Sequence, residues 1–474
     1  MRTRSLENNS RKLKQILRCG LLFYLESFTT QEMDHMPVKI SIPIIRLSGS
    51  QGKRLLANAN KLRGRRDDDA QRSVEKIITD VRKKGDAALF AYTKQFDKVA
   101  LSSSTVRISN KVLVAQSRKA PQAFKIALNK AARNIWAYHK KQKSCAFSIK
   151  TNDGTLSQII RPLSRVGVYV PGGYTTYPSS ILMGVIPAQI ACVGEIAVAT
   201  PPHGELDPKI AYALNLLKIT ELYQIGGVQA IAAFAYGTES VKPVDKIVGP
   251  GNVYVALAKK MVYGAVDIDT IAGPSEVVIL ADETANPEWV ALDLLAQAEH
   301  GSGNESAVCV TESYALAEKI RGCCMTEILR SPIRGVFEKL SANSISICVA
   351  ETRDESIGFI NGCAPEHLQI ITKTARKDVR KIINASAIFC GPYSPVALGD
   401  YYIGTNHVLP TGGAARFASP LGVESFIKRM SVAEISKAGL VRCAGNVSTL
   451  ARAENFVHHA LSVERRAEYI LKKS

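Results

Sequence analysis

The chain has no apolar run approaching the ~18–20 residues that a membrane-spanning helix needs. Its ten cysteines form no Cys-x-x-Cys pair and lie singly, apart from adjacent Cys323 and Cys324. That scatter excludes a disulfide framework or a cysteine-rich zinc module. It fits free thiols in a reducing compartment, so cytoplasm is the expected location. No Gly-x-Gly-x-x-Gly opens any strand-to-helix unit, so the usual dinucleotide fingerprint is missing as well. Acidic residues are wholly absent from residues 98–152, which hold 12 Lys/Arg, and scarce in residues 1–66, which hold 14 Lys/Arg against 4 Asp/Glu. The formal charge of +19 therefore sits in the first third, and the chain from residue 153 onward is nearly balanced. A basic helix such as "QAFKIALNKAARNIWAYHKKQK" (122–143) could touch phosphates, but it carries no recognition motif and reads as well as a solvated amphipathic face. Neither nucleic acid nor membrane is expected as a partner.

What is present is the material of a globular protein. With 474 residues, 46% hydrophobic and 22% charged, the chain can bury two or three full cores. The first 33 residues differ from the rest and read as a poorly ordered extension over residues 1–36. Arg and Ser there faintly suggest organelle targeting, against which Glu7, Glu26 and Glu32 argue. Helical pattern begins near residue 71 with "AQRSVEKIITDVRKKG", for which Gly85 is the stop. From about residue 159 strands and helices alternate. One series of strand-like runs is "RVGVYV", "EIAVAT", "ELYQIGG" and "KIVG"; a second is "SEVVILA", "SAVCVT", "SISICVA" and "SAIFCG". Strands separated by helices of 10 to 15 residues mean parallel sheets, and two series predict two α/β/α sandwich domains. The tail from residue 423 reads as helical.

Several residues could carry chemistry. "PEWVALDLLAQAEHG" ends with Gln297 and His300 three residues apart. The histidine is either a helix-terminal cation with Gly301 as the stop, or half of a metal site made with the glutamine. In "KIVGPGN", Asn252 is a predicted N-cap, and the glycine turn offers a helix N-terminus to an anion. Tyr169 ends a strand, where parallel sheets bind ligands. His367 follows Glu366 in "APEHL"; His407 shares a glycine-rich loop with Asp400; His459 follows Glu454 on a helix. Histidines beside carboxylates or amides suit proton transfer and metal ligation. Cys192, Cys309 and Cys363 have no basic neighbour to lower a thiol pKa and read as buried structural thiols.

The segments "VGVYVPGG", "GGVQAIAAFAYGTESV", "KIVGPGN", "IAGPSEVVILADE", "DLLAQAEHG", "APEHL" and "GPYSPVALGDYYIGTNHVLPTGGAARF" together resemble the motifs of the histidinol dehydrogenase family, in the same order, over residues 165 to 430. The resemblance implies oxidation of L-histidinol to L-histidine through L-histidinaldehyde, using NAD as cosubstrate and one Zn²⁺ per subunit. It implies zinc held by Gln297, His300, Asp400 and His459, with the His458–His459 doublet leaving the last position open. Glu366 and His367 match the catalytic pair. Ser275, His407 and Glu454 match substrate contacts, which His367 and the zinc ligands share; Tyr169, Gln229 and Asn252 match NAD contacts. It further implies two Rossmann-like sandwiches, residues 169–275 forming an NAD-binding domain inserted into a main domain of residues 67–168 plus 276–422. Residues 37–66 and the helical tail 423–474 would serve dimerisation, in a homodimer with shared active sites. A related dehydrogenase of another amino alcohol or small diol, and a basic metal-binding protein associated with nucleic acid, are the alternatives.

Overall fold

Alternation of apolar strands with amphipathic helices produces two six-stranded sheets and one three-stranded sheet. A computed structural model of the chain describes residues 40–61, 68–142, 144–172, 176–202, 204–271, 273–301, 303–341 and 343–473. The expected extension over 1–36 lies outside the described residues. Of the expected N-terminal segment 37–66, only 40–61 lies within them.

In the first sheet the strands run in the order Ile44–Arg46, Ile345–Val349, Ser306–Thr311, Glu276–Ala281, His367–Ile371 and Ala387–Cys390, all parallel. In the second the order is Arg107–Ile108, Leu222–Tyr223, Glu195–Ala199, Arg165–Tyr169, Lys246–Val248 and Asp267–Ile268, parallel except at the first pair. This is the expected mixed α/β class with parallel sheets. The inner strands Glu276–Ala281, His367–Ile371 and Arg165–Tyr169 are buried at every position, as strands covered on both faces must be. Period-two alternation divides them between two cores: Val277 and Ile279 face one cluster with Leu294 and Ile320, while Val278 and Leu280 face another with Leu368 and Ile360.

The expected boundaries need two corrections. Residues 67–168 do not join the first sheet. Helix Asp68–Lys84 turns Val74, Ile77 and Val81 into a cluster with Tyr169, Ile231 and Ile247 of the second sheet's layer. Strand Arg165–Tyr169 itself pairs with Glu195–Ala199 and Lys246–Val248 inside the second sheet, so a division at 168/169 would cut a strand. Nor is the tail from residue 423 helical throughout. Ile427–Ile435 is a strand paired antiparallel along its whole length with Gly154–Pro162, and Phe147–Lys150 completes that three-stranded sheet. Only then come helices Lys437–Ala453 and Val457–Lys472, which pack on each other through Arg452 and Glu464. Among the described residues no helix is long and apolar enough to cross a membrane.

Candidate active site

Strands Glu276–Ala281 and His367–Ile371 lie side by side, with Val277 opposite His367, so their N-terminal ends present Ser275, Glu276, Glu366 and His367 together. The helix before the second strand, Arg353–Cys363, is closed by Ala364 in the left-handed region at φ 51°, which turns the chain into Pro365 and Glu366. Glu366 is buried, and its Oε2 accepts from the Glu276 backbone N–H at 3.0 Å. Burial pushes its carboxyl well above the ordinary range, against the hydrogen bonds from Glu276 N–H and the Ser275 side chain, with the Glu276 and Asp400 charges adding to the rise.

His367 is 4% exposed. Its Nδ1 lies 3.2 Å from the Glu276 carbonyl, which can only accept, so Nδ1 carries the proton and Nε2 the lone pair. Nε2 is buried with no hydrogen-bond partner, 3.8 Å from Asp400 Oδ1. Burial, with smaller contributions from the His300 and His407 rings, lowers the imidazole pKa to about 4, against the Glu276 carbonyl. The ring is a neutral, oriented acceptor.

Asp400 belongs to the short helix Val396–Tyr401, and burial raises its carboxyl to about 6. Its backbone carbonyl accepts from His407 Nδ1 at 2.9 Å, leaving His407 Nε2 to face the Ser180 hydroxyl at 3.4 Å. Asn406 pins this loop to the second sheet's layer by donating from Nδ2 to the Met183 carbonyl at 2.9 Å. The loop therefore joins the N-terminal edge of the first sheet to helix Pro178–Ile190, which follows strand Arg165–Tyr169.

Helix Pro287–Ala298 starts at Asn286, whose side chain accepts from Glu288 N–H at 2.8 Å, and ends at Glu299. His300 lies one residue past that end, before Gly301 at φ +78°, so the expected glycine stop is present. Gln297 is 4% exposed, and its Nε2 has no partner. His300 is open on one side, yet the surrounding protein lowers its pKa, against Glu305 and Glu299. It is near enough to depress His367 and His407 as well. Gln297, His300 and Asp400 offer an amide, an imidazole and a carboxylate, which fit zinc in kind. His459 is exposed on helix Val457–Lys472 beside Phe456, and Glu454 is exposed at the end of the preceding helix. Among the described residues no group of three or more His, Cys, Asp or Glu is placed to hold a metal.

The expected NAD residues gather at the opposite kind of edge, the C-terminal ends of the second sheet. The Tyr169 hydroxyl accepts from Gly227 N–H at 3.1 Å, and burial pushes its pKa up to about 12, against the Gly227 bond and with the Asp97 charge. Gln229 donates from Nε2 to Asp97 at 3.4 Å and keeps a buried, unpaired Oε1. Asn252 caps helix Val253–Val262 as predicted, accepting from Val255 N–H at 3.1 Å. Reading the sequence missed Ser180, Asp97 and the backbone of Glu276 as partners, since each lies 90 or more residues from the side chain it serves and bears no local mark. Of the three cysteines, Cys309 and Cys363 are buried with thiols pushed up by burial. Cys192 is not buried. It is exposed at φ +68° in the turn after helix Pro178–Ile190.

A sequence profile of the family described as histidinol dehydrogenase matches residues 61–467. The chain is 46% identical over 404 residues to the histidinol dehydrogenase of Halalkalibacterium halodurans, covering 85% of this chain and 95% of that one. It is 44% identical over 416 residues to that of Bacillus anthracis, covering 87% and 95%. The solved histidinol dehydrogenase of Elizabethkingia anophelis superposes with a TM-score of 0.83 at 34% identity, over 92% of this chain and 100% of that one. With the profile spanning most of its length, the chain belongs to the histidinol dehydrogenase family and is an oxidoreductase.

Proposed function

We propose that the protein oxidises L-histidinol to L-histidine through L-histidinaldehyde, passing two hydrides in turn to two NAD⁺, as the last steps of histidine biosynthesis in the cytoplasm. The observation that carries this reading is His367: a neutral ring with Nδ1 committed to the Glu276 carbonyl and a buried, unpaired Nε2 beside Asp400. Nε2 takes the hydroxyl proton as hydride leaves the carbinol carbon for the nicotinamide. Glu366 takes a proton from the water that adds to the aldehyde, and hydride leaves the resulting hydrate for the second NAD⁺. Burial favours the neutral form of Glu366, and a cation nearby would draw it towards the carboxylate that this role uses.

Zinc, one per subunit, would supply that charge and orient the amine and imidazole nitrogens of the substrate. Gln297, His300 and Asp400 would hold it together with His459 of a second copy. Ser275, His407 and Glu454 would position the substrate, and Tyr169, Gln229 and Asn252 the NAD⁺. Two Rossmann-like sandwiches, with the second sheet's segment inserted between the strands of the first, and terminal segments that pair two copies, complete this reading. The dimer is supported by exposed Val447, Leu450, Phe456 and Val457 on the tail helices and the turn between them, and exposed Met430, Val432 and Ile435 on strand Ile427–Ile435.

The test is NADH absorbance after adding L-histidinol and NAD⁺ to the zinc-loaded protein. Two NADH per histidinol are expected, abolished by chelation and restored by Zn²⁺. Zinc-loaded protein that forms no NADH, or whose rate is indifferent to chelation, would refute the proposal.

A further inference from the structure

Gly249 follows strand Lys246–Val248 and opens the turn that leads to Asn252 and helix Val253–Val262. Its φ of +121° is open only to glycine, and a Cβ there would sit 2.0 Å from the Tyr169 carbonyl oxygen. Both of its backbone polar groups are held by one buried ion pair. Gly249 N–H donates to Asp269 Oδ2 at 2.7 Å, and Lys259 Nζ donates to the Gly249 carbonyl at 3.0 Å. Lys259 and Asp269 bond to each other, with side chains only 2% and 3% exposed. Asp269 Oδ1 also accepts from Thr270 N–H at 2.7 Å. Lys259 comes from the very helix that the turn introduces, and Asp269 from just past the edge strand Asp267–Ile268, so the pair ties turn, helix and edge strand at one point.

Burying two charges costs about as much as their attraction returns, so such a pair is a poor device for stability alone. The neighbouring pair Lys246–Asp267 shows the contrast. Its carboxylate is 49% exposed, and apart from accepting from the adjacent Ile268 N–H it bonds the Lys246 side chain alone. We propose that Lys259 and Asp269 are positioning residues for NAD⁺, clamping the peptide groups on either side of Gly249 and so fixing the turn from Gly249 to Asn252 on which the cofactor docks. The inference rests on the reading of that turn as the cofactor's.

The double variant Lys259→Met/Asp269→Asn removes both charges and leaves no buried ion unpaired, so it should keep a melting temperature near that of the wild type. Either single change strands a charge or its partner and should melt lower. With Lys259 no longer holding the Gly249 carbonyl, and one amide oxygen left for both Gly249 and Thr270 N–H, KM and Kd for NAD⁺ should rise about tenfold while kcat at saturating NAD⁺ stays within about twofold. Zinc content and KM for histidinol should not move. If the double variant cannot be purified, Asp269→Glu gives the same reading, since it keeps the charge and displaces the carboxylate from Gly249 N–H. A folded variant with wild-type NAD⁺ affinity, or one whose kcat and both KM values shift together, would overturn the proposal. Asn252→Ala serves as the control: an unchanged NAD⁺ affinity there would instead remove the underlying reading of the turn, and the proposal with it.

Discussion

Burial acts in opposite directions on adjacent Glu366 and His367, raising the carboxyl and lowering the imidazole, because each is pushed toward its neutral form. The two groups are thereby suited to different steps. His367→Gln should keep zinc and bind histidinol but lose alcohol oxidation by about 10²–10⁴-fold. Glu366→Gln should depress oxidation of histidinaldehyde more than that of histidinol. Separate rate measurements with the two substrates check this, and equal losses in both variants would contradict it. A third buried group is a test of stability. Burial raises Asp293 to about 6 from an ordinary 3.8, against the 2.7 Å bond from Gln369 Nε2. Between those values the folded protein holds a proton that the unfolded chain has released, so stability falls as pH rises through that window and stays lower above it. The loss is at most about 3 kcal/mol at neutral pH. Asp293→Asn keeps an oxygen for Gln369, so it should flatten the slope between pH 4 and 6 and raise Tm at pH 7.5. Melting curves across that range decide the matter.

At the scale of elements, the C-terminal segment is built around a close backbone approach. Ser436 caps helix Lys437–Ala453 and also donates from its backbone N–H to the Asp153 carbonyl at 2.9 Å, in the hairpin before strand Gly154–Pro162. A Cβ on Gly439 would lie 2.0 Å from that same carbonyl oxygen, and backbone cannot yield as a side chain can. Gly439→Ala should therefore swing both tail helices away from the hairpin while the two large sheets stay folded. Since His459 rides on the second of those helices, activity should fall at least about tenfold, with zinc bound less tightly. Circular dichroism near that of the wild type, together with full activity and full zinc content, would count against the placement of the tail. Strand Ile427–Ile435 escaped the reading of the sequence because "IKRMSVAEI" mixes charged and apolar residues and finds its partner over 260 residues away. The edge strands Ile44–Arg46, Arg107–Ile108 and Asp267–Ile268 are too short to show any period.

On the scale of the whole molecule, the proposed catalytic pair stands at the N-terminal edge of one parallel sheet and the turns proposed for NAD⁺ at the C-terminal edge of the other. The loop through Asn406 and His407 spans the two layers, while His459 is exposed on the tail helix Val457–Lys472. A shared site makes a numerical prediction. His300→Ala and His459→Ala dimers should each be inactive. Co-refolded in equal amounts they should regain about a quarter of wild-type activity, since half the dimers are hybrids with one intact site of two. Mixtures that demonstrably exchange subunits yet remain inactive would show that His459 serves its own chain.

Local chemistry made much of this readable from residues alone. The Asn252 cap, the Gly301 stop, the Gly85 break at φ +54° and the buried runs of both strand series depend on neighbours within a few positions. The motif residues themselves were likewise visible in the chain. What only the tertiary structure decided was everything that depends on distant partners. The helices of residues 68–97 join the second sheet because Val74, Ile77 and Val81 find Ile231 and Ile247 there, a choice that their own amphipathic pattern leaves open. His367 is neutral, with its lone pair on Nε2, because strand pairing sets it beside a carbonyl 91 positions earlier and burial removes the water that would stabilise its charge. Helical period and capping act over a single turn, whereas pairing, desolvation and ion-pair partners are set by which segments the folded chain brings together.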